Sequence, residues 1–283
     1  METYPANIRP AFAKAGMVEG KDFVFVLIRP NDASLSALDI PGFLAKIAAA
    51  NPAVVLPMDV RSNTIVPSLR NIPVVLGSAY ADSGVLGAPG KRPSNVTGFL
   101  YGVENFDVKR LELLRELAPS AKRVGIWAQN DLPRVEERIA ELRRAAATLK
   151  LEIREFRLDE PVDQGERMLD EVKRSGMDAF LVLAGNLWRR PWVALARTHG
   201  LPTVYPYAWT AEAGGPAAYE QAWWDYSDVV GYVRQILGGK KPSELPIQQQ
   251  ASQQMVLNAT AARELGLALP ASLVLRANRV IGQ

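Results

Sequence analysis

The chain has no cysteine and a single histidine in 283 residues. The first absence removes disulfides, thiolate metal sites and a cysteine nucleophile, and it fits either an oxidising or a reducing compartment. The second leaves little for a histidine metal site and makes any Ser-His-Asp triad depend on His199 alone. In LARTHGLP that histidine stands in a last helical turn before Gly200 and Pro202, where a cation near a helix C-terminus is the simpler reading. No apolar run reaches roughly 18 residues, so no segment reads as a membrane-spanning helix. METYPANIRPAFAKAG has no charged n-region followed by an apolar h-region, so no signal peptide is visible. Neither sign of charge prevails: 33 Lys and Arg stand against 30 Asp and Glu, interleaved as in KRLELLRELAPSAKR. Without a basic tract set apart from balancing acids, nucleic-acid binding is not indicated.

What is present is a globular composition, 48% hydrophobic and 22% charged, in a chain long enough for two lobes. FVFVLI at 23–28 is a continuous apolar run that reads as a strand buried on both faces. IPGFLAKIAAANP follows as a helix that stops before Pro52, then AVVLPM and IPVVLGSA read as further strands. After the Gly- and Pro-rich loop GAPGKRPSNVTGF the alternation restarts. NFDVKRLELLRELAPSA, PRVEERIAELRRAAATLKL and GERMLDEVKRSG read as helices, and RVGIWAQ, LEIREFRL, DAFLVLAG and TVYPY as strands. GPAAYE, the helix WDYSDVVGYVRQILGG, ELPIQQ and QMVLNATAARELGLALP complete the pattern. This implies an α/β protein of two doubly wound parallel-sheet lobes with a ligand cleft between them. The expected lobes are 1–103 with 218–250, and 104–217 with 251–283.

The chemistry of enzymes is hard to find. No G-x-G-x-x-G follows a strand, and GVLGAPGKR fails the phosphate-loop spacing and has Arg92 where a Ser or Thr should stand. Gly77-Ser78 follows a strand without the second glycine of a nucleophile elbow. Asp59, Asp82 and Asp131 stand at strand ends, but spacing alone does not bring them together. A binding cleft needs less: an aromatic floor and a few polar groups that fix orientation. The candidate contacts stand where strands end: Asp59, Ser78, Tyr80, Asn130, Asp131, Asn186, Trp188 and Tyr207, with Tyr219 and Glu220 where the chain crosses between lobes. For Trp188 and Tyr207, ligand contact and packing are both open. Trp223, Trp224 and Tyr226 begin a helix and read as packing or surface residues, and Tyr205 as core.

RPSNVTGF, KRLELLRELAPSAKRVGIW, LPTVYPYAWTAEAGGPAAYE, VRQILGGKKPSELPIQQ and VLNATAARELGLALPASLVLRANRVI occur in one order. Together they resemble the ABC-transporter substrate-binding proteins of the tryptophan- and tyrosine-binding type. GMVEGKDFVF is similar to that family's G-x-V-E-G turn before its second strand. The resemblance implies a periplasmic-binding fold of type I, capture of a small solute, an ABC permease in the membrane as partner, no cofactor and no catalysis. It also implies a periplasmic or cell-surface location.

Three departures from the family pattern shape the expectations. Members carry a signal peptide and a first strand before the G-x-V-E-G turn, which here begins at Gly16. A truncated start is the expectation for a monomer, and a strand supplied by a second copy, in a dimer, is the alternative. After AVVLPM the family's small-residue loop is replaced by PMDVRSNTI, in which Arg61 could pair with a ligand carboxylate bidentately or be a surface charge beside Asp59. The third strand's loop is SAYADSG, which inserts Tyr80. The function expected is the solute-binding part of an ABC importer, closing on an aromatic or apolar ligand that bears a carboxylate. A sensing module of the same fold without a transporter is the alternative, which permease and ATPase genes nearby would exclude. An orphan enzyme is the third reading, and it requires turnover of a bound compound.

Overall fold

The computed structural model describes residues 3–28, 39–58, 62–80, 84–87, 92–101, 106–130, 132, 134–158, 165–183, 190–221, 226–250 and 253–282. Helices α1 (Thr3–Lys14) and α2 (Ile40–Ala50) come first, then a 3₁₀ turn over Ser62–Ser68 and strands β1 (Val74–Tyr80) and β2 (Val96–Tyr101). Next are α3 (Phe106–Leu117), β3 (Arg123–Gln129), α4 (Val135–Leu149), β4 (Glu152–Leu158), α5 (Gly165–Arg174) and β5 (Ala179–Val182). They are followed by α6 (Arg190–Thr198), β6 (Thr203–Tyr205), α7 (Ala208–Glu212), β7 (Ala217–Gln221) and α8 (Tyr226–Leu237). The last are β8 (Ile247–Gln250), β9 (Gln253–Asn258), α9 (Ala259–Glu264), α10 (Ala271–Arg276) and β10 (Arg279–Ile281). The chain divides into two compact units, Met1–Val103 with Ala222–Ala251, and Glu104–Gln221 with Ser252–Gln283.

In the first unit β1, β2 and β8 form a parallel sheet in that order. Alternation along the strands sends side chains to two layers. Val75 and Phe99 join Ile8 and Phe12 of α1 and Val229, Val233 and Ile236 of α8. Val74, Leu76, Val96 and Leu100 meet Phe43 and Ile47 of α2 and Ile65, Val66 and Leu69 on the other face. Asp39 caps α2 by accepting from the Gly42 N–H at 3.0 Å, and Asn51 ends it in the left-handed region. Gly98 has no substitute in β2, since a Cβ there would lie 2.4 Å from the Leu76 backbone.

Of two stretches expected as strands, one joins this sheet weakly and the other does not pair with it among the described residues. Val55 bridges Val74, with Val75 donating to the Val55 carbonyl at 3.0 Å and Gly77 to that of Pro57 at 3.0 Å. Residues 23–28 are not a strand buried on both faces. The Phe23 and Phe25 rings pack on Phe12, with centroids 4.5 and 5.1 Å away. Val24, however, is 72% exposed and Val26 60%. The physical reason is the lack of a ladder: beyond a single bridge from Glu19 to Phe23, nothing among the described residues pairs with this stretch.

The second unit has a seven-stranded sheet in the order β10-β9-β7-β6-β5-β3-β4. All its pairings are parallel except β7 with β9. Val124, Ile126 and Ala128 of β3 pack with Leu111 and Leu114 of α3 and Ile139 and Leu142 of α4. Trp127 points the other way, to Phe180, Met168 and Leu169 of α5 and Trp192 of α6. Trp192 and Tyr205 are therefore core, as is the strand AFLV, buried on both faces. The sequence pattern places a lobe boundary after residue 217, but β7 lies whole within the second unit. Its pairing with β6 on one side and β9 on the other carries the sheet to Gln221.

Candidate ligand-binding site

Because β3, β5, β6 and β7 run parallel, their carboxyl ends share one edge of the second unit's sheet. This is the edge at which open α/β sheets hold ligands. β3 runs into Asn130, β6 into Tyr207, and β7 carries Tyr219 and Glu220 near its end. Asp131, Asn186 and Trp188 lie outside the described residues.

Tyr207 stands immediately before α7 in extended conformation and is half-buried. Its carbonyl accepts the Thr210 N–H at 3.0 Å, which closes the first turn. Glu220 holds the same turn from the neighbouring strand. It is buried, its Oε2 accepts from the Ala208 N–H at 3.0 Å and its Oε1 from Gln254 Nε2 at 2.9 Å. Both carboxylate oxygens thus accept charge-assisted bonds from the protein itself, so Glu220 orients the Tyr207–Ala208 backbone.

Tyr219 is held at both its side chain and its backbone. Its hydroxyl donates to Gln253 Oε1, its ring lies 5.7 Å from that of Phe106, and its carbonyl accepts Arg110 Nη1 at 2.9 Å. Arg110 is buried and paired with Asp107, whose other oxygen accepts Arg138 Nε at 2.7 Å. Burial by itself would raise the Asp107 carboxyl, but the charges of Arg138 and Arg110 and their hydrogen bonds overcome it and hold it at about 2. By sequence alone Asp107 is only an acid in the first turn of α3. The i, i+3 spacing with Arg110 was legible, but the approach of Arg138 from α4 was not.

Asn130 is exposed, and its Oδ1 accepts Arg157 Nη1 at 3.3 Å. Arg157 also reaches Glu136 at 3.0 Å and Glu155 at 2.8 Å, so Asn130 borders a surface ion-pair cluster. Trp209, one of the aromatics of the AWT segment, packs on the core with the Arg190 guanidinium 5.8 Å from its ring centroid. In the first unit, Ser78 and Tyr80 lie on β1 at the backbone level. Asp59 and Arg61 lie outside the described residues, as do Trp223 and Trp224.

A depression of about 400 Å³ lined by Asp170, Lys173, Arg174 and His199 lies elsewhere. The end of α5 leads into β5 and the end of α6 into β6, so this hollow is at the amino ends of the strands, opposite the candidate edge. His199 Nε2 lies 2.8 Å from Asp170 Oδ1. Among the described residues no group of three His, Cys, Asp or Glu side chains could hold a metal ion, and no helix is long and apolar enough to cross a membrane.

A family model described as ABC transporter substrate binding protein matches residues 8–281. The chain belongs to that family. Substrate-binding proteins are a family of binders rather than a class of enzymes, with a small-molecule ligand and a membrane permease as the implied partners. No curated protein matches the chain. Among solved structures, a conserved domain protein from Vibrio cholerae is 20% identical with a TM-score of 0.79, over 97% of this chain and 93% of that one. An ABC domain from Streptococcus pneumoniae in complex with L-Trp is 21% identical with a TM-score of 0.78, over 98% and 94%. A solute-binding protein of an ABC transporter from R. palustris, in complex with benzoate, is 13% identical with a TM-score of 0.53, over 86% and 69%. At these identities the likeness establishes the fold, a periplasmic-binding type I-like arrangement of mostly parallel sheets. The match to the substrate-binding family runs from within α1 to the end of β10.

Proposed function

We propose that this substrate-binding protein is the extracytoplasmic solute-capturing component of an ABC importer, and that its ligand is a small aromatic or apolar molecule bearing a carboxylate. The observation that carries the reading is the placement of Tyr207 and Tyr219 at the carboxyl edge of the parallel strands. The carbonyl of each accepts a hydrogen bond from the protein, so the backbone that carries both aromatic side chains is held before a ligand arrives. The L-Trp and benzoate held by two similar structures support an aromatic carboxylate. In this reading Glu220 supports Tyr207 rather than meeting the ligand's amine. Ser78, Tyr80, Asn130, Asp131, Asn186, Trp188, Asp59 and Arg61 remain candidate contacts on sequence grounds, Arg61 for the carboxylate. Closure of the two units on the solute belongs to the same proposal.

The test is thermal unfolding in the presence of L-Trp, L-Tyr, benzoate and branched-chain amino acids at millimolar concentration, followed by calorimetry. A ligand at about 100 times its Kd adds about 2.7 kcal/mol of stability, a shift of several degrees. The expected result is a shift with one or more of the aromatic carboxylates. A shift confined to the branched-chain compounds would narrow the class to apolar carboxylates, and none with any compound would overturn the ligand class.

A further inference from the structure

Polypeptide passes between the two units three times, at Val103–Glu104, Gln221–Ala222 and Ala251–Ser252. On the second unit's side, each passage is rooted beside a residue of one bonded network. Asp107 and Arg110 of α3 follow the first passage, Tyr219 of β7 precedes the second, and Gln253 of β9 follows the third. Arg110 links α3 to β7 through the Tyr219 carbonyl at 2.9 Å, and the Tyr219 hydroxyl links β7 to Gln253 of β9. Glu220 and Gln254 repeat the β7–β9 link one residue along at 2.9 Å. Arg138 ties the cluster to α4 through Asp107. A buried ion pair is weak as a source of stability, since apolar side chains of similar volume often serve as well. What it does well is to fix geometry, because every misplacement leaves a buried charge unpaired.

We propose that Asp107, Arg110, Tyr219 and Gln253 form a clamp that holds the three roots in the second unit as a single rigid block. The clamp spans three elements, α3, β7 and β9, that are far apart in sequence, and two of the bonds run from charged donors or acceptors that are themselves buried. It acts by positioning: loosening any one link releases the others. This goes beyond solute capture and does not require it.

The test is hydrogen–deuterium exchange of the whole 283-residue chain, without ligand, comparing the protein with the double variant Asp107→Leu/Arg110→Met. That variant leaves no charge of the central pair behind. Exchange is expected to quicken about tenfold in both 217–221 and 253–257, with β3 and β5 unchanged. Acceleration in one of those stretches only, in neither, or equally in β3 and β5 would overturn the clamp. If the double variant does not fold, Tyr219→Phe decides, since it keeps the ring against Phe106 and removes the hydroxyl that bonds Gln253. It is expected to quicken exchange at least threefold in 253–257 and in 106–111 together, and acceleration absent from either stretch overturns the proposal. No ligand enters these measurements, so the clamp can fail while solute capture stands, and the reverse.

Discussion

AFLV at 179–182 and FVFVLI at 23–28 are much alike as sequences, short, apolar and free of Gly and Pro. In the second unit AFLV lies between β3 and β6, with α3 and α4 beneath one face and α5 and α6 over the other, and all four side chains are buried. In the first unit FVFVLI packs one set of side chains on Phe12 and leaves Val24, Val26 and Leu27 exposed. The difference is in neighbours. A strand's second face is buried only when flanking strands carry the sheet past it and a helix crosses above. Apolar composition states the demand for such a site, and the surrounding chain decides whether it is met.

The comparison can be broken most sharply by truncating one residue in each stretch. Phe180→Ala removes a ring that meets Trp127 and the α5 side chains, and is expected to cost about 3–5 kcal/mol in urea unfolding. Val24→Ala, at an exposed position, is expected to change stability by less than about 0.5 kcal/mol. Equal costs would show that residues 23–28 are held as tightly as the second unit's core.

Acid gives the next largest effect, and again in the second unit. The folded Asp107 carboxyl is depressed to about 2 from an ordinary 3.8, so its contribution is complete above about pH 4 and is lost as pH falls through 2. At about 1.4 kcal/mol per unit of pKa, the loss is on the order of 2 kcal/mol. Urea titrations between pH 5 and 2 should show it, and Asp107→Asn, though less stable at neutral pH, should flatten that part of the dependence. An unchanged acid slope in the variant would mean that the cluster is not the acid-sensitive element.

At the candidate edge, Tyr207→Ala is expected to weaken ligand binding by more than tenfold, about 1.4 kcal/mol, with the unfolding midpoint little changed. Calorimetry with whichever ligand the thermal screen identifies checks it, and unchanged affinity would mean a cleft lined by other residues. The smallest effect belongs to residues 23–28. Val24→Lys with Val26→Lys should leave stability within about 0.5 kcal/mol and slow aggregation on heating, as a charged exposed edge does. Faster aggregation would mean that these valines are covered in the protein at work.

Much of the second unit was legible because its helices and strands have distinct periods. KRLELLRELAPSAKRVGIW separates into an amphipathic helix and a strand by pattern alone, and the structure has α3 and β3 there. The seam at β7 was not legible. GPAAYE reads as a strand from local composition, but its membership depends on pairing with β6 and with the antiparallel β9, which is remote in sequence. The site divided in the same way. Strand ends named Tyr207, Tyr219 and Glu220 as residues to watch, because the fold rule needs only local order. That Glu220 spends both oxygens on Ala208 and Gln254, and that Tyr219 is anchored from α3, needed the packed arrangement.

By itself, then, the sequence determined the α/β class, the two-unit plan and the family, and it named the aromatic residues proposed for the candidate edge. These rest on periodicity, glycine and proline punctuation and ordered motifs, all of which act over a few residues. Only the tertiary structure decided which apolar runs are buried on both faces, where β7 belongs, and how Asp107, Arg110 and Arg138 come together. Those outcomes depend on hydrogen-bond partners and charges contributed by segments far along the chain, whose approach no local pattern encodes.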